Sequence, residues 1–312
     1  MIPPPRGSGA AYVTGAAGFV GGAVAAAFAK AGWRVAGFDQ SPRAGDGFAH
    51  WSTGDVGLAA LARAAAEIGA PELLFHAAGG SSVGASVADP AGDFARTVGS
   101  LRETLAFLKA QAPRARLIYP SSAAVYGAAS HGPLPEASLL DPISPYGVHK
   151  LLAEVEIADA AAGFGLRAVI LRFFSLYGPG LKKQLLWDLA RRLQARPARL
   201  ELSGAGEEQR DFLFVDDAVR LVGLAAGLNL DGAPLVLNGG RGEPVSVRQA
   251  AQALARALGS DAAIGFSGET RPGDPAALVA DISRARAMGF KPQVAFEEGA
   301  GLFARWFADL PA

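Results

Sequence analysis

The stretch AAYVTGAAGFVGGAVAAAFAKAG, residues 10–32, carries the fold. AAYVT is short, apolar and β-prone, and reads as a buried strand. From Phe19 the pattern turns helical. Between them lies Thr14-Gly15-Ala-Ala-Gly18-Phe-Val-Gly21. Gly15 can make the tight turn, Gly18 lets a ligand approach the backbone, and Gly21 lets helix and strand pack closely. The N–H groups that open such a helix suit the phosphates of a dinucleotide. The spacing GxxGxxG is equally open to a ligand-free βα turn in a chain with 40 glycines.

The next strand, RVAGFD, ends in Asp39, which follows Gly15 at the interval where a carboxylate accepts from both ribose hydroxyls of an adenosine. That charge repels a 2′-phosphate, so NAD is expected rather than NADP. Asp55 and Val56 are placed to contact the adenine, although Asp55 fits an ordinary surface loop as well.

Further along, LAALARAAAEIG, DFARTVGSLRETLAFLKAQ and YGVHKLLAEVEIADAAAG read as helices, alternating with the strands ELLFHAA, RLIYPSS and RAVILRFF. Such alternation predicts right-handed βαβ units, an α/β doubly wound parallel sheet of Rossmann type. GPLPEASLLDPISP, residues 132–145, reads as a loop. After Phe174 the rhythm changes, with the helix QLLWDLARRLQ, the strand RLELSG and a weakly periodic tail from Ile264. The expected division is a dinucleotide-binding domain of 1–174 plus about 212–262, and an interleaved C-terminal substrate lobe of about 175–211 plus 263–312.

The whole composition narrows the classes of function. Lysine plus arginine equals aspartate plus glutamate, 29 each, so no net charge draws the chain to nucleic acid or acidic membranes. There is no cysteine, which removes disulfides and thiolate chemistry and fits a reducing, cytoplasmic setting. His50, His76, His131 and His149 lack ligand spacing, so no metal is expected. Apolar runs are short, so neither a leader peptide nor a membrane span is expected.

SPYGVHKLLAE, residues 144–154, sets Tyr146 four residues before Lys150, on one face of a helix. Alone, this is as much an ordinary surface pair as a proton-transfer device. It opens a helix late in a dinucleotide fold, however, and the preceding strand ends in Ser121-Ser122, where strand carboxyl ends meet a cofactor crevice.

In order, TGAAGFVG, LFHAAGGSSVGASVADP, IYPSSAAVYG, SPYGVHK, LRFFSLYGPG, EEQRDFLFVDDAV and TRPGD resemble the extended short-chain dehydrogenase/reductases. More narrowly, the chain resembles the NAD-dependent sugar-nucleotide epimerase/dehydratase family, from about Ala10 to Pro292. The resemblance implies Tyr146 as general base, Lys150 as its activator and holder of the nicotinamide ribose, and Ser122 as hydrogen-bond partner of the reacting oxygen. It implies NAD contacts from Gly15, Gly18, Phe19, Val20, Gly21, Asp39, Asp55, Val56 and Ala77. A nucleotide-diphosphate sugar is implied as substrate, touched by Ser81, Ser175, Gln184, Arg210 and Arg271 besides Ser122 and Tyr146. A homodimer built from the 93–111 and 146–162 helices is implied too.

Several positions leave the family pattern. Dehydratases of the family carry an Asp-Glu pair after the catalytic serine or threonine, where this chain has Ala123 and Ala124. Eliminating water needs an acid and a base there. A family asparagine that anchors the lysine is Arg96 here, a lysine on the cofactor phosphates is Ser81, and a diphosphate-contacting asparagine is Ser175. Tyr126, Tyr177 and Trp187 are expected to pack, and His149 to face solvent. The reading favoured by the resemblance is C4 epimerisation of a nucleotide sugar. A nucleotide-4-ketosugar reductase and a non-catalytic dinucleotide sensor are the alternatives.

Overall fold

The computed structural model describes residues 7–43, 45–128, 132–230, 232–269 and 275–311. The first half builds, in chain order, β1 (Ala10–Thr14), α1 (Phe19–Lys30), β2 (Arg34–Asp39), β3 (Phe48–Thr53), α2 (Leu58–Ile68), β4 (Pro71–His76), α3 (Val83–Ala88), α4 (Pro90–Phe94), α5 (Ser100–Gln111), β5 (Arg116–Ser122), α6 (Pro145–Phe164) and β6 (Arg167–Phe173). The second half adds β7 (Ser175–Tyr177), α7 (Gln184–Gln194), β8 (Arg199–Leu202), β9 (Gln209–Phe214), α8 (Val215–Gly227), β10 (Leu235–Gly239), β11 (Pro244–Ser246), α9 (Val247–Ala257), β12 (Ala263–Phe266), β13 (Ala277–Leu278), α10 (Ser283–Ala287) and α11 (Phe296–Ala308).

Seven parallel strands form one sheet in the order β10-β6-β5-β4-β1-β2-β3. The expected doubly wound sheet is therefore present. The chain reverses its direction of travel between β1 and β4, which opens a crevice at their carboxyl ends. Side-chain alternation along β1 shows how both faces are covered. Ala10 and Tyr12 enter a core with α2, α5 and α6, whereas Ala11 and Val13 enter another with α1 and α8. A strand covered on both faces reads as a continuous apolar run, as AAYVT does.

A second, four-stranded sheet of β7, β9, β11 and β13 carries the smaller lobe, with the pair β8–β12 beside it. Its core comes from α7, α9 and α11, including Leu186, Leu189, Leu254, Phe303 and Phe307. The tail thus contains a well-formed helix, α11, whose Phe296, Ala300, Phe303 and Phe307 lie on one buried stripe. Phenylalanine and alanine alternate in size along that stripe, which blurs the periodicity of the bare sequence. SLY, which runs straight into a glycine-proline turn, pairs with β9 as β7. The long helix expected over 93–111 is interrupted: residues Ala95–Gly99 form a π-helical turn between α4 and α5. Turns of that kind concentrate at functional sites. No helix among the described residues is long and apolar enough to cross a membrane.

Candidate active site

Gly15 adopts φ +66, and a Cβ there would lie 2.7 Å from the Ala77 carbonyl oxygen. A Cβ on Gly21 would lie 2.0 Å from the Gly15 oxygen. Both positions therefore require glycine, one for conformation and one for helix–strand approach. Gly18 is the N-cap of α1 and no side chain caps that end, so the first-turn N–H groups at Phe19, Val20 and Gly21 are left to a ligand or to water. Asp39 spans the turn's mouth. Its Oδ2 accepts from Ala17 N and its Oδ1 from Ser41 N, each at 2.9 Å. Ionised carboxylate oxygens retain further lone pairs for ribose hydroxyls. Val56 is buried nearby, and Asp55 accepts from Gln40 Nε2 at 2.7 Å on the exposed rim. The cradle and its acid thus fit NAD.

Ser122 ends β5, and α6 begins beside it. Ser144 caps α6 by accepting from Gly147 N, Pro145 occupies the first turn, and Tyr146 follows. Proline is preorganised for that position and serine for the cap. The Tyr146 N–H donates to the buried Ser86 Oγ at 3.0 Å, which pins the start of the helix. The Tyr146 ring is partly exposed while its phenol is crowded by protein, and burial raises it above the usual tyrosine range. A hydrogen bond from Ser122 pulls it back down, and the Asp93 charge pushes it up.

Lys150 is 5% exposed, and its Nζ donates to Pro120 O at 2.9 Å, 5.8 Å from the Tyr146 ring centroid and 4.8 Å from that of Tyr119. Burial lowers it to about 8, opposed by the charges of Asp93 and Glu154. Ser122, Tyr146 and Lys150 therefore converge at the sheet's carboxyl edge. A phenol, a hydroxyl and a nearby ammonium can take a proton from an alcohol and steady the oxygen left behind.

Below them lies a buried polar network that the sequence did not disclose. Ser121 Oγ donates to Glu154 Oε1 at 2.5 Å, and Glu154 pairs with Arg172 at 2.7 Å. Arg172 also donates to Tyr126 Oη, which donates to Asn238 Oδ1 at 2.7 Å. Tyr126 and Tyr177 are buried as expected, Tyr126 with this polar role in addition. Polar residues reveal such partners only once β5, β6, β10 and α6 are assembled. His149 corrects the sequence reading. It does not face solvent; it is buried, with Nδ1 2.6 Å from Asp93 Oδ2. Position alone on a helix could not show this, because α4 covers that face.

The other substrate candidates lie around a cavity of about 820 Å³ within the smaller lobe, lined by Ser175, Lys183, Gln184, Asp188, Arg192 and Arg210 among others. Gln184 opens α7 at φ +69, an uncommon posture for a residue with a side chain. Arg210 donates to Pro275 O at 2.8 Å. Ser81 is exposed and is not part of that lining; its carbonyl accepts from Lys183 Nζ at 2.8 Å, tying the loop after β4 to the lobe. Arg271 lies outside the described residues. Arg96 turns outward to Asp89, 3.4 Å away, so it does not stand in for a lysine anchor. Ala123 and Ala124 follow Ser122 and bring no acid or base.

The chain is similar to known proteins over nearly its whole length. A UDP-glucose 4-epimerase of Azospirillum brasilense is 31% identical over 305 residues, covering 90% of this chain and 86% of its own. The solved structure of MoeE5 in complex with UDP-glucuronic acid and NAD superposes with a TM-score of 0.85 at 32% identity, covering 96% and 99% of the two chains. TunA, a NAD-dependent NDP-hexosamine 5,6-dehydratase of tunicamycin biosynthesis, superposes with a TM-score of 0.84 at 27% identity, covering 97% and 98%. The model of the NAD dependent epimerase/dehydratase family matches residues 11–235, most of the chain, and the protein belongs to that family.

Proposed function

We propose that this enzyme is an NAD-dependent nucleotide-sugar 4-epimerase. The observation that carries the reading is the convergence of Ser122, Tyr146 and Lys150 beside a glycine cradle and Asp39, with Ala123 and Ala124 next to Ser122. Tyr146 takes the proton from the sugar's C4 hydroxyl, Ser122 hydrogen-bonds that oxygen, and Lys150 favours the phenolate by its charge. Bound NAD supplies the acceptor and then the donor of hydride. Arg210, Ser175 and Gln184 hold the nucleotide diphosphate in the small-lobe cavity. The sheet domain holds the cofactor and the lobe the substrate. The two alanines weigh against elimination of water, although a dehydratase shares the architecture.

We further propose a homodimer. Val148, Leu152 and Val155 recur along an exposed face of α6 at 39%, 41% and 49% exposure, and Phe94 at the end of α4 is also exposed. An apolar stripe of this kind marks an association surface.

The test is to purify the protein, identify its retained cofactor by mass spectrometry, and incubate it with UDP-, dTDP-, GDP- and CDP-sugars without added reductant. Interconversion of two C4 epimers is expected, and it should be abolished in Tyr146→Phe. Consumption of NADH only with a 4-keto sugar would instead identify a reductase. NAD binding without turnover across the panel would identify a sensor.

A further inference from the structure

His149, the neighbour of Lys150, turns toward α4 and meets Asp93 Oδ2 at 2.6 Å. With the carboxylate ionised, only the imidazole can donate in this contact. Asp93 is 1% exposed, and its other oxygen, Oδ1, has no hydrogen-bond partner among the described residues. A buried carboxylate oxygen without a donor is costly. It lies against Gly80, where a Cβ would stand 1.8 Å away, so a side chain there would displace the loop after β4. The Phe94 ring closes the outer side of the imidazole, edge-on at 5.4 Å. The pair therefore joins the helix that carries Tyr146 and Lys150 to the loop that borders the crevice.

The charges around it are unequal in their commitments. On α6, Glu154 is held by Arg172 and Ser121. On β4, burial holds His76 down to about 3, so it stays neutral at ordinary pH. On β5, burial holds Tyr119 well above the usual tyrosine range and keeps it neutral. Arg96 is spent on Asp89 at the surface. Asp93 is the anion in this group that no arginine or lysine contacts among the described residues.

We propose that Asp93, held by His149, is a positioning residue that sets the charge balance of the Tyr146–Lys150 pair and fixes the first turns of α6 against the loop after β4. Its carboxylate acts on both partners in one direction, raising Tyr146 and raising Lys150 against the effect of burial. Removing the charge lowers both.

The kinetic arm of the test rests on the proposed epimerase activity; the spectroscopic arm does not. In Asp93→Asn, the whole bell-shaped pH profile of kcat/KM is expected to move to lower pH, by about one pH unit. The tyrosinate absorbance that disappears in Asp93→Asn/Tyr146→Phe should move the same way, read on purified protein with its retained cofactor. His149→Ala removes the donor that favours the buried carboxylate's charge, so the shift should run to lower pH as in Asp93→Asn but be smaller, with His149→Asn restoring the parent profile. If Asp93→Asn does not fold, the His149 pair of variants decides. A fall in Tm with unmoved pH profile and tyrosinate titration would overturn the proposal, leaving a merely structural ion pair. Absence of turnover in the parent sinks the epimerase reading and leaves the titration to judge Asp93.

Discussion

Lys150 reaches from α6 to the main-chain oxygen of Pro120 at 2.9 Å, so α6 is tied to the strand that ends in Ser122. The ammonium is bought out of water by that bond and by two carboxylates, and burial still lowers it to about 8.

That shift links function to stability with a definite sign. Between about 8 and the ordinary lysine value of 10.5, an unfolded chain binds a proton that the folded chain lacks. Stability contributed by this group therefore rises with pH through that window. Lys150→Met should melt at or above the parent temperature at pH 7, and the gap should narrow toward pH 10 in thermal scans. Its kcat should fall about 100-fold or more. The parent's activity should decline above pH 8 as Lys150 loses its proton.

Asp39 gives a prediction about cofactor choice. Asp39→Asn keeps an acceptor for Ala17 N but removes the charge. Weaker bonds to the ribose should cost about 1.5–3 kcal/mol, or roughly 10- to 100-fold in Kd for NAD. Binding of NADP should improve, since the repulsion of a 2′-phosphate is gone. Calorimetric titration with both cofactors reads the two effects separately.

The Glu154–Arg172 pair is buried on both sides. Arg172→Met leaves Glu154 with Ser121 alone, and stability should fall by about 3–5 kcal/mol. Arg172→Met/Glu154→Leu should be less damaging than Arg172→Met, because no buried charge is stranded. Denaturant unfolding of the parent and the two variants measures this.

Leu152 lies on the exposed stripe of α6, away from the crevice-facing residues. Leu152→Glu should convert a dimer to a monomer in light scattering while leaving NAD bound. A parent that runs as a monomer would sink the proposed association.

The sheet domain was legible because its strands are continuous apolar runs bounded by glycine, and because Gly15, Gly21 and Asp39 occupy positions where few other residues serve. Helical spacing showed that Tyr146 and Lys150 share a face; their proposed role came from the family resemblance. His149 was not, since a helix position shows which face a residue shares but not whether another element covers that face. Asp93, Arg172 and Glu154 are hidden for the same reason: buried charges look like surface charges until their partners, far apart in sequence, are brought together. The helix α11 was obscured by glycines and alanines within its apolar stripe.

Two of the crossings between the lobes have almost no slack. β9 of the small sheet runs directly into α8, which packs on the large sheet, and a single residue separates β6 from β7. The crossing from β10 to β11 is longer, with residues 240–243 between the two sheets. Under the proposed epimerisation, a sugar that must present first one face and then the other has to turn where the two sheets meet, while its nucleotide end stays gripped in the lobe.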